Sequence, residues 1–444
     1  MGFYAKLARN IFYKRTLSLI GSEKIRTWGR KVKKRVLVGS LLMLTLLIAP
    51  AIARGGLPSP GVTPDSWLYG LDRAIEALQK AFTFTPEAKV KLALQLAAER
   101  LSEAREMLER GKAELAASIA EDYRKEMDEA ARYGGAMAEA AKRGEARNAI
   151  NQAASAHLKV LKEVMPDSPL YPCKRKAEDI GIGVAQTLEE KARRQLSAAG
   201  DRIEEAKAMV EEEKLELARK ALEDYEEGLG KALNYGEAIA ELAKKKEFEE
   251  LVFEATSVHI NVLERVLEKA PDAAKPAIEK AIAASKKGQE EAIERIREVE
   301  PAEAAKLYLK LAEDKLQKLK EKVKEGRIKE AIKLMEEYQR NISKSLEIVD
   351  EAREAGKGVA EAAEKIALAT SKHLEILEGV RDRVREEAKP AIERSMKVSA
   401  RGQERALEAL RKENPRRAKK VEEAIPGKVK EIKERIGVPA GPKK

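Results

Sequence analysis

The chain has 444 residues, one Cys, three His, 37% charged side chains and 4% aromatics. A single Cys excludes a disulfide scaffold and any Cys-based zinc site. Scarce aromatics with abundant Ala, Glu, Lys, Leu and Arg exclude a sheet-built fold and predict long helices. The net charge of +11 is concentrated at the ends: residues 1–53 carry +10 and residues 411–444 carry +7, leaving −6 on the 357 between. A duplex-binding surface needs clustered cations on the folded body, so nucleic acid is not an expected partner.

Residues 1–35 form a basic leader, which is then cytoplasmic, and either makes an interfacial helix or precedes a later start at Val32. Lys31, Lys33, Lys34 and Arg35 stand before an uncharged run, residues 36–53, that ends Ala51-Ile52-Ala53. Such a run is close to a membrane span, and small-x-small is what a signal peptidase accepts. The expectation is a signal peptide or an uncleaved anchor, with everything after Arg54 exported. A membrane is then a partner through residues 36–53 if the run is retained. A linker follows over residues 54–63.

Three copies of one unit come next, over residues 64–165, 166–300 and 301–415. Tyr123, Tyr225 and Tyr338 each follow two acids, and His157, His259 and His373 lie 34, 34 and 35 residues later. The first two copies are offset by 102 residues, the next two by 113 and then 114. Each copy reads as three helices. The first has a 4-3-4-3-4 seam (Val90, Leu94, Ala97, Leu101, Ala104, Leu108) that suits near-antiparallel packing. Thr85-Pro86-Glu87 is a helix start. Gly111 and Gly326 break the chain before the second helix, and Glu213 fills that place in copy two. The second helix carries the Tyr and the third the His. A turn near Gly356 sets Tyr338 and His373 at one height, within touching range. In copies two and three the third helix is expected to run on through Pro276 and Pro390, bent but unbroken, as a helix shared between neighbouring bundles. The fold class is thus all-α: an elongated tandem array of three helical-bundle repeats after an N-terminal hydrophobic helix. Residues 416–444 read as a basic flexible tail.

Copy one opens Pro64-Asp65-Ser66-Trp67-Leu68-Tyr69, then Arg73-Ala74 and Glu76; copy two opens Pro166-Asp167-Ser168-Pro169-Leu170-Tyr171, then Lys174-Arg175 and Ala177-Glu178. Both continue, 31 residues after the Tyr, into Glu99-Arg100 and Asp201-Arg202, followed by Glu103-Ala104 and Glu205-Ala206. This pattern resembles a family of exported prokaryotic helical domains catalogued as a domain of unknown function, family number 5667. The resemblance covers residues 57–135 well and 166–240 more loosely; copy three lacks the opening motif. It implies an extracytoplasmic helical module with no assigned activity and no functional residues to carry over.

No catalytic or cofactor-binding residue is expected, and no cofactor. His157, His259 and His373 are the candidates for a metal, but zinc wants three or four ligands and each copy offers one His. The alternative is structural: His and Tyr (Tyr123, Tyr225, Tyr338) fixing helix register. The acids before each Tyr would serve a cation or simply be solvated. Gly181-Ile182-Gly183 lacks a preceding strand and is no phosphate loop. Cys173 has no matching Cys in the other copies. Asn341-Ile342-Ser343 is a sequon, open to glycosylation if exported. The expected function is non-enzymatic: an exported envelope spacer or scaffold, partnered by protein or an anionic envelope polymer. The alternative is a membrane-anchored regulator in which residues 1–35 act in the cytoplasm. A metal-binding protein using the three His is a third reading.

Overall fold

The computed structural model describes residues 57–438, apart from residue 385. The leader, the apolar run of residues 36–53 and residues 439–444 lie outside the described residues. Among the described residues there are fifteen α-helices, one 3₁₀ turn and no strand, and no helix is long and apolar enough to cross a membrane. The chain forms two compact units: residues 57–162 with 172–177, and residues 163–171 with 178–438.

The first unit holds α1 (Tyr69–Ala81), α2 (Pro86–Glu109), α3 (Ala113–Gly135) and α4 (Ala140–Val160). Thr85 caps α2 by accepting from the Ala88 N–H at 3.2 Å, with Pro86 in the first turn. Helices α2 and α3 make an antiparallel hairpin that α4 crosses. The core is built on Val90, Leu96, Ala97, Leu101, Ile119, Met127 and Ile150. Residues 57–63 are no loose linker: Leu57 and Thr63 are buried, and the Pro58 carbonyl accepts from Ser102 Oγ at 2.7 Å. The opening motif becomes α1 in copy one and α5 (Tyr171–Val184) in copy two.

The second unit continues with α6 (Leu188–Glu211), α7 (Leu215–Glu237), α8 (Leu242–Lys269), α9 (Lys275–Val299), α10 (Pro301–Lys324), α11 (Ile328–Glu354), α12 (Ala360–Arg381), α13 (Lys389–Glu413), α14 (Pro415–Ala424) and α15 (Gly427–Arg435). These pair as hairpins α6/α7, α8/α9, α10/α11 and α12/α13; α6 packs on α8, α7 on α9, α10 on α12 and α11 on α13. The expected run-on helix is therefore corrected. The chain turns at residues 270–274 and 382–388, and Pro276 and Pro390 open new helices instead of bending old ones. Proline has no N–H to give, and the first turn is where none is needed. Copies two and three also do not close as separate bundles: Phe253, Ile293 and Ile296 of copy two sit in the core that runs on through copy three.

The turn signals hold. Gly111, Gly326 and Gly356 all have φ near +70°, and Glu213, in the same place, has φ 60°. Each closes its helix with the same pair of backbone bonds, for example Lys112 N–H to Met107 O at 2.8 Å and Gly111 N–H to Leu108 O at 2.9 Å. The flexible tail is corrected for residues 416–438. Val421, Val429, Ile432 and Val438 are buried, Lys433 donates to Gln403 Oε1 at 3.0 Å and to Glu404, and Arg435 pairs with Glu378. The tail's positive charge reads as solvated, yet Arg417, Lys433 and Arg435 are held by acids of α12 and α13.

Between hairpins, cations pair with acids at nearly constant separation, some reaching back along the chain and some forward. Lys318 to Glu264, Lys322 to Glu268 and Lys344 to Glu290 are each 54 residues apart and 2.6 Å long; Arg405 to Asp350 is 55 apart. Each surface pair is worth about 0–1 kcal/mol, so the ladder sets register more than it adds stability. Close packing carries more. A Cβ on Gly236 in α7 would clash with Cε1 and Cδ1 on the edge of the Phe248 ring of α8. Gly236→Ala is therefore expected to lower stability by about 1–2 kcal/mol, overpacking outweighing the helix-propensity gain. A urea midpoint unchanged or raised would refute this. The matching Gly134 faces the tip of Ile150, Cδ1 at 2.9 Å, with Ala146 and Val90 further off, a softer surrounding.

Candidate functional site

Two polar layers recur inside the helical packing. The first is the Tyr–His pair. Tyr123 Oη lies 3.0 Å from His157 Nδ1, Tyr225 Oη 3.2 Å from His259 Nδ1, and Tyr338 Oη 3.1 Å from His373 Nδ1. The rings meet edge-on with centroids 5.3–5.5 Å apart. The turns placed by Gly111, Glu213 and Gly326 bring the second helix of each copy back along the first, and the third helix presents its His at the Tyr. In the second unit α9 and α13 add a hydroxyl: Ser285 Oγ is 2.6 Å from Tyr225 Oη, and Ser399 Oγ is 2.5 Å from Tyr338 Oη. These serines lie beyond Pro276 and Pro390, where a run-on helix would have carried them away from the tyrosines.

All three His are buried, and burial lowers each imidazole pKa to about 4; Lys372 adds to this at His373. They are neutral at pH 7, with Nδ1 committed to the phenol. Burial also raises the three tyrosines. The surroundings of Nε2 differ: a Cβ on Gly200 would lie 3.1 Å from it at His259, whereas Glu313 Oε1 stands 3.9 Å from it at His373. Each His serves its own Tyr, and among the described residues no group of three or more His, Cys, Asp or Glu is placed to hold a metal ion. Of the acids before each Tyr, Glu121 and Glu223 pair at the surface with Arg124 and Arg219, while Asp122 reaches Arg73 of α1 at 3.1 Å.

The second layer was missed as a site in the sequence, although its residues stand in the opening motif. Arg100 is fully buried and binds Glu76, Glu103 and, at 3.2 Å, the Tyr69 hydroxyl. In copy two Arg202 binds Glu178 at 2.5 Å, Glu205 at 3.0 Å and the Tyr171 hydroxyl, which itself donates to Glu205 at 2.7 Å. The separations of 24, 3 and 31 residues are the same in both copies. Burial opposes the Arg100 charge, but Glu103 and Glu76 more than offset it and raise its pKa; burial pushes Glu103 up to about 7 against the pull of Arg100. Arg202 Nε donates to the Ala198 carbonyl at 3.2 Å, whereas buried Arg100 Nε has no partner.

Copy three departs from this. Lys315 takes the Arg position, mostly buried, 2.6 Å from Glu337, which Lys286 also holds at 3.1 Å. Although burial works against its charge, Lys315 and Lys286 bring the Glu337 carboxyl down to about 2. A shallow cleft of about 180 Å³ opens beside Lys315 and Glu337 and includes Arg340 and Asn341. That is below the size of ordinary small-molecule pockets. Asn341 lies inside α11 with Ile342 fully buried beside it, so its sequon is helical. Cys173 is buried, its thiol raised to about 12 by burial and 3.8 Å from the Ala120 carbonyl, which leaves it inert. Gly181-Ile182-Gly183 sits in the last turns of α5.

Stacked helical hairpins with polar layers repeated at fixed spacing define a tandem helical-repeat protein. Residues 61–165 and 163–273 match the family described as domain of unknown function (DUF5667), so the first two copies each carry that domain. The matched stretch ends before copy three, which lacks the opening motif and the buried Arg. Among solved structures, a circular tandem repeat protein with novel repeat topology and enhanced subunit contact surfaces is similar at 14% identity and TM-score 0.53, over 83% of this chain and 82% of that one. The S. pombe nuclear import adaptor Nro1 (15% identity, 77% and 100% covered, TM-score 0.24) and a computationally designed self-assembling cyclic homooligomer (16%, 72% and 100%, 0.18) also match, too loosely to carry an argument. The first likeness shows the fold alone. No curated protein matches the chain.

Proposed function

We propose that the protein is a non-enzymatic, exported helical spacer or interaction scaffold of the cell envelope. The observation that carries this reading is where the repeated chemistry goes. Every His gives Nδ1 to a buried Tyr, and both buried Arg are taken up by carboxylates of their own copy. Residues that recur at fixed spacing and are turned into the core set register; they do not meet a substrate. Export rests on the sequence of residues 31–53 and on the family resemblance.

The test is the N-terminal sequence of the native protein, taken from membrane and from medium. The expected result is a chain outside the cytoplasm, either beginning at Arg54 or intact and anchored. A chain recovered in the cytoplasm with residues 1–53 intact and no membrane association would overturn export. The scaffold role has its own check: the His157→Gln/His259→Gln/His373→Gln variant should lose stability and keep all partner binding.

A further inference from the structure

We propose that the outward face of α1 rests on the lipid bilayer, in the interfacial layer beside the point where the chain leaves the membrane. Helix α1 is amphipathic in the reverse sense to a core helix. Its charged face is turned inward: Arg73 pairs with Asp122, Glu76 with Arg100, and Lys80 with Glu126 and Glu129 at 2.6 and 2.9 Å. Its apolar face is turned to solvent. Trp67, Leu71, Leu78 and Phe82, spaced for one side of a helix, are 90, 55, 46 and 52% exposed, and Phe84 beyond them is 77% exposed.

Copy two shows what this face does inside the array. Its Cys173, the counterpart of Leu71, is fully buried against the Ala120 carbonyl of α3, in the preceding copy. Copy one has no preceding copy. A terminal repeat that merely lacked a neighbour would carry polar residues there. The chain does the opposite: where copy two has Pro169, Val184 and Gln186, copy one has Trp67, Phe82 and Phe84. Trp, Phe and Leu on one side of a helix is the composition that seats at a membrane interface.

The length of chain before α1 points to the same occupant. The apolar run ends at Ala53, and Leu57 is already buried in the first unit, with the Pro58 carbonyl held by Ser102. Four residues reach at most about 14 Å. If residues 36–53 remain in the membrane, on which reading the proposal rests, the first unit cannot leave the bilayer surface, and the apolar face meets lipid at high effective concentration.

The test uses the full chain carrying Trp28→Phe, which leaves Trp67 as the one tryptophan. It is reconstituted in phosphatidylcholine–phosphatidylglycerol vesicles with and without brominated acyl chains. Bromolipid should reduce Trp67 emission at least about twofold while aqueous iodide has little effect. Leu71→Glu with Phe82→Glu should abolish that quenching at unchanged helix content, because both side chains are exposed. Quenching by iodide alone would put the face in water and overturn the proposal. Quenching by neither would mean a protein cover, a second copy or residues 36–53 folded back, and would overturn it too. An alkaline carbonate wash separates the two readings: a chain that stays with the vesicles but is not quenched by bromolipid defeats only this proposal, whereas a chain that washes off defeats the anchor and the proposal together.

Discussion

Arg202→Ala is expected to destabilise the second unit by about 3–5 kcal/mol, lowering its thermal midpoint by roughly 10 °C. The loss does not measure the value of the ion pairs. It reflects what stays behind: Glu178 and Glu205, buried to within a few per cent, lose the cation they share, and the Tyr171 hydroxyl loses its contact with Arg202. Replacing the whole group by apolar residues of similar volume (Arg202→Met, Glu178→Leu, Glu205→Leu and Tyr171→Phe) should recover most of the stability, since the desolvation penalty then vanishes with the charges. Lys315→Met in copy three should be much milder, because Glu337 keeps Lys286 at 3.1 Å and is about one-third exposed. Calorimetry of the three variants decides it. Equal losses for Arg202→Ala and Lys315→Met would show that the buried cluster has no special role.

Acidification from pH 6.5 to 4 is expected to weaken the second unit steeply through His259 and His373. Unfolded, both take up protons near pH 6.5; folded, they resist until about pH 4. Within that window the unfolded state binds more protons, so stability falls as pH falls, by up to about 3 kcal/mol per His. The stabilisation is fully present above pH 6.5 and lost by about pH 4. In the first unit His157 acts in the same sense, but Glu103 opposes it. Its folded pKa of about 7 lies above the unfolded value, so from pH 7 to 4.5 the folded state is the one that gains a proton. Glu103 should therefore flatten the response that His157 alone would give the first unit. His259→Gln/His373→Gln isolates the effect: it is less stable than wild type at pH 7, and the gap narrows toward pH 4. Parallel melting curves across the range would remove the buried-His account.

The parts of the fold that sequence revealed are those where local chemistry and long-range packing agree. Gly111, Glu213, Gly326 and Gly356 mark turns because a left-handed residue is needed there whatever packs around it, and the Tyr–His spacing gave contact once Gly356 was read as a turn. The first seam was largely right: Val90, Ala97, Leu101 and Ala104 are buried, but Leu94 and Leu108 only partly, and Arg100 and Glu103 join the core. Charge on a helix reads as surface, and only a partner on another helix makes it interior. The clue was the pair of identical separations, Tyr69 and Glu76 to Arg100 repeated in Tyr171 and Glu178 to Arg202. Pro276 and Pro390 were misread because a proline in the first turn and a proline at a kink look alike within a periodic run. The basic C-terminal segment was misread for the same reason as Arg100: its partners, Glu404 and Glu378, stand on helices 29 and 57 residues earlier.

The near-constant separation of the ion pairs between hairpins has a consequence for how such a chain can change. Hairpins alternate in two kinds, α6/α7 resembling α10/α11 and α8/α9 resembling α12/α13, and each kind meets only the other. Adding or losing one hairpin would bring like against like and break the register that these pairs set. Adding or losing two, about 113 residues, preserves every junction. The second unit can therefore be lengthened or shortened only in double steps. Its size is quantised, and a cell that needed a different span would obtain it by recombination within the gene rather than by point mutation.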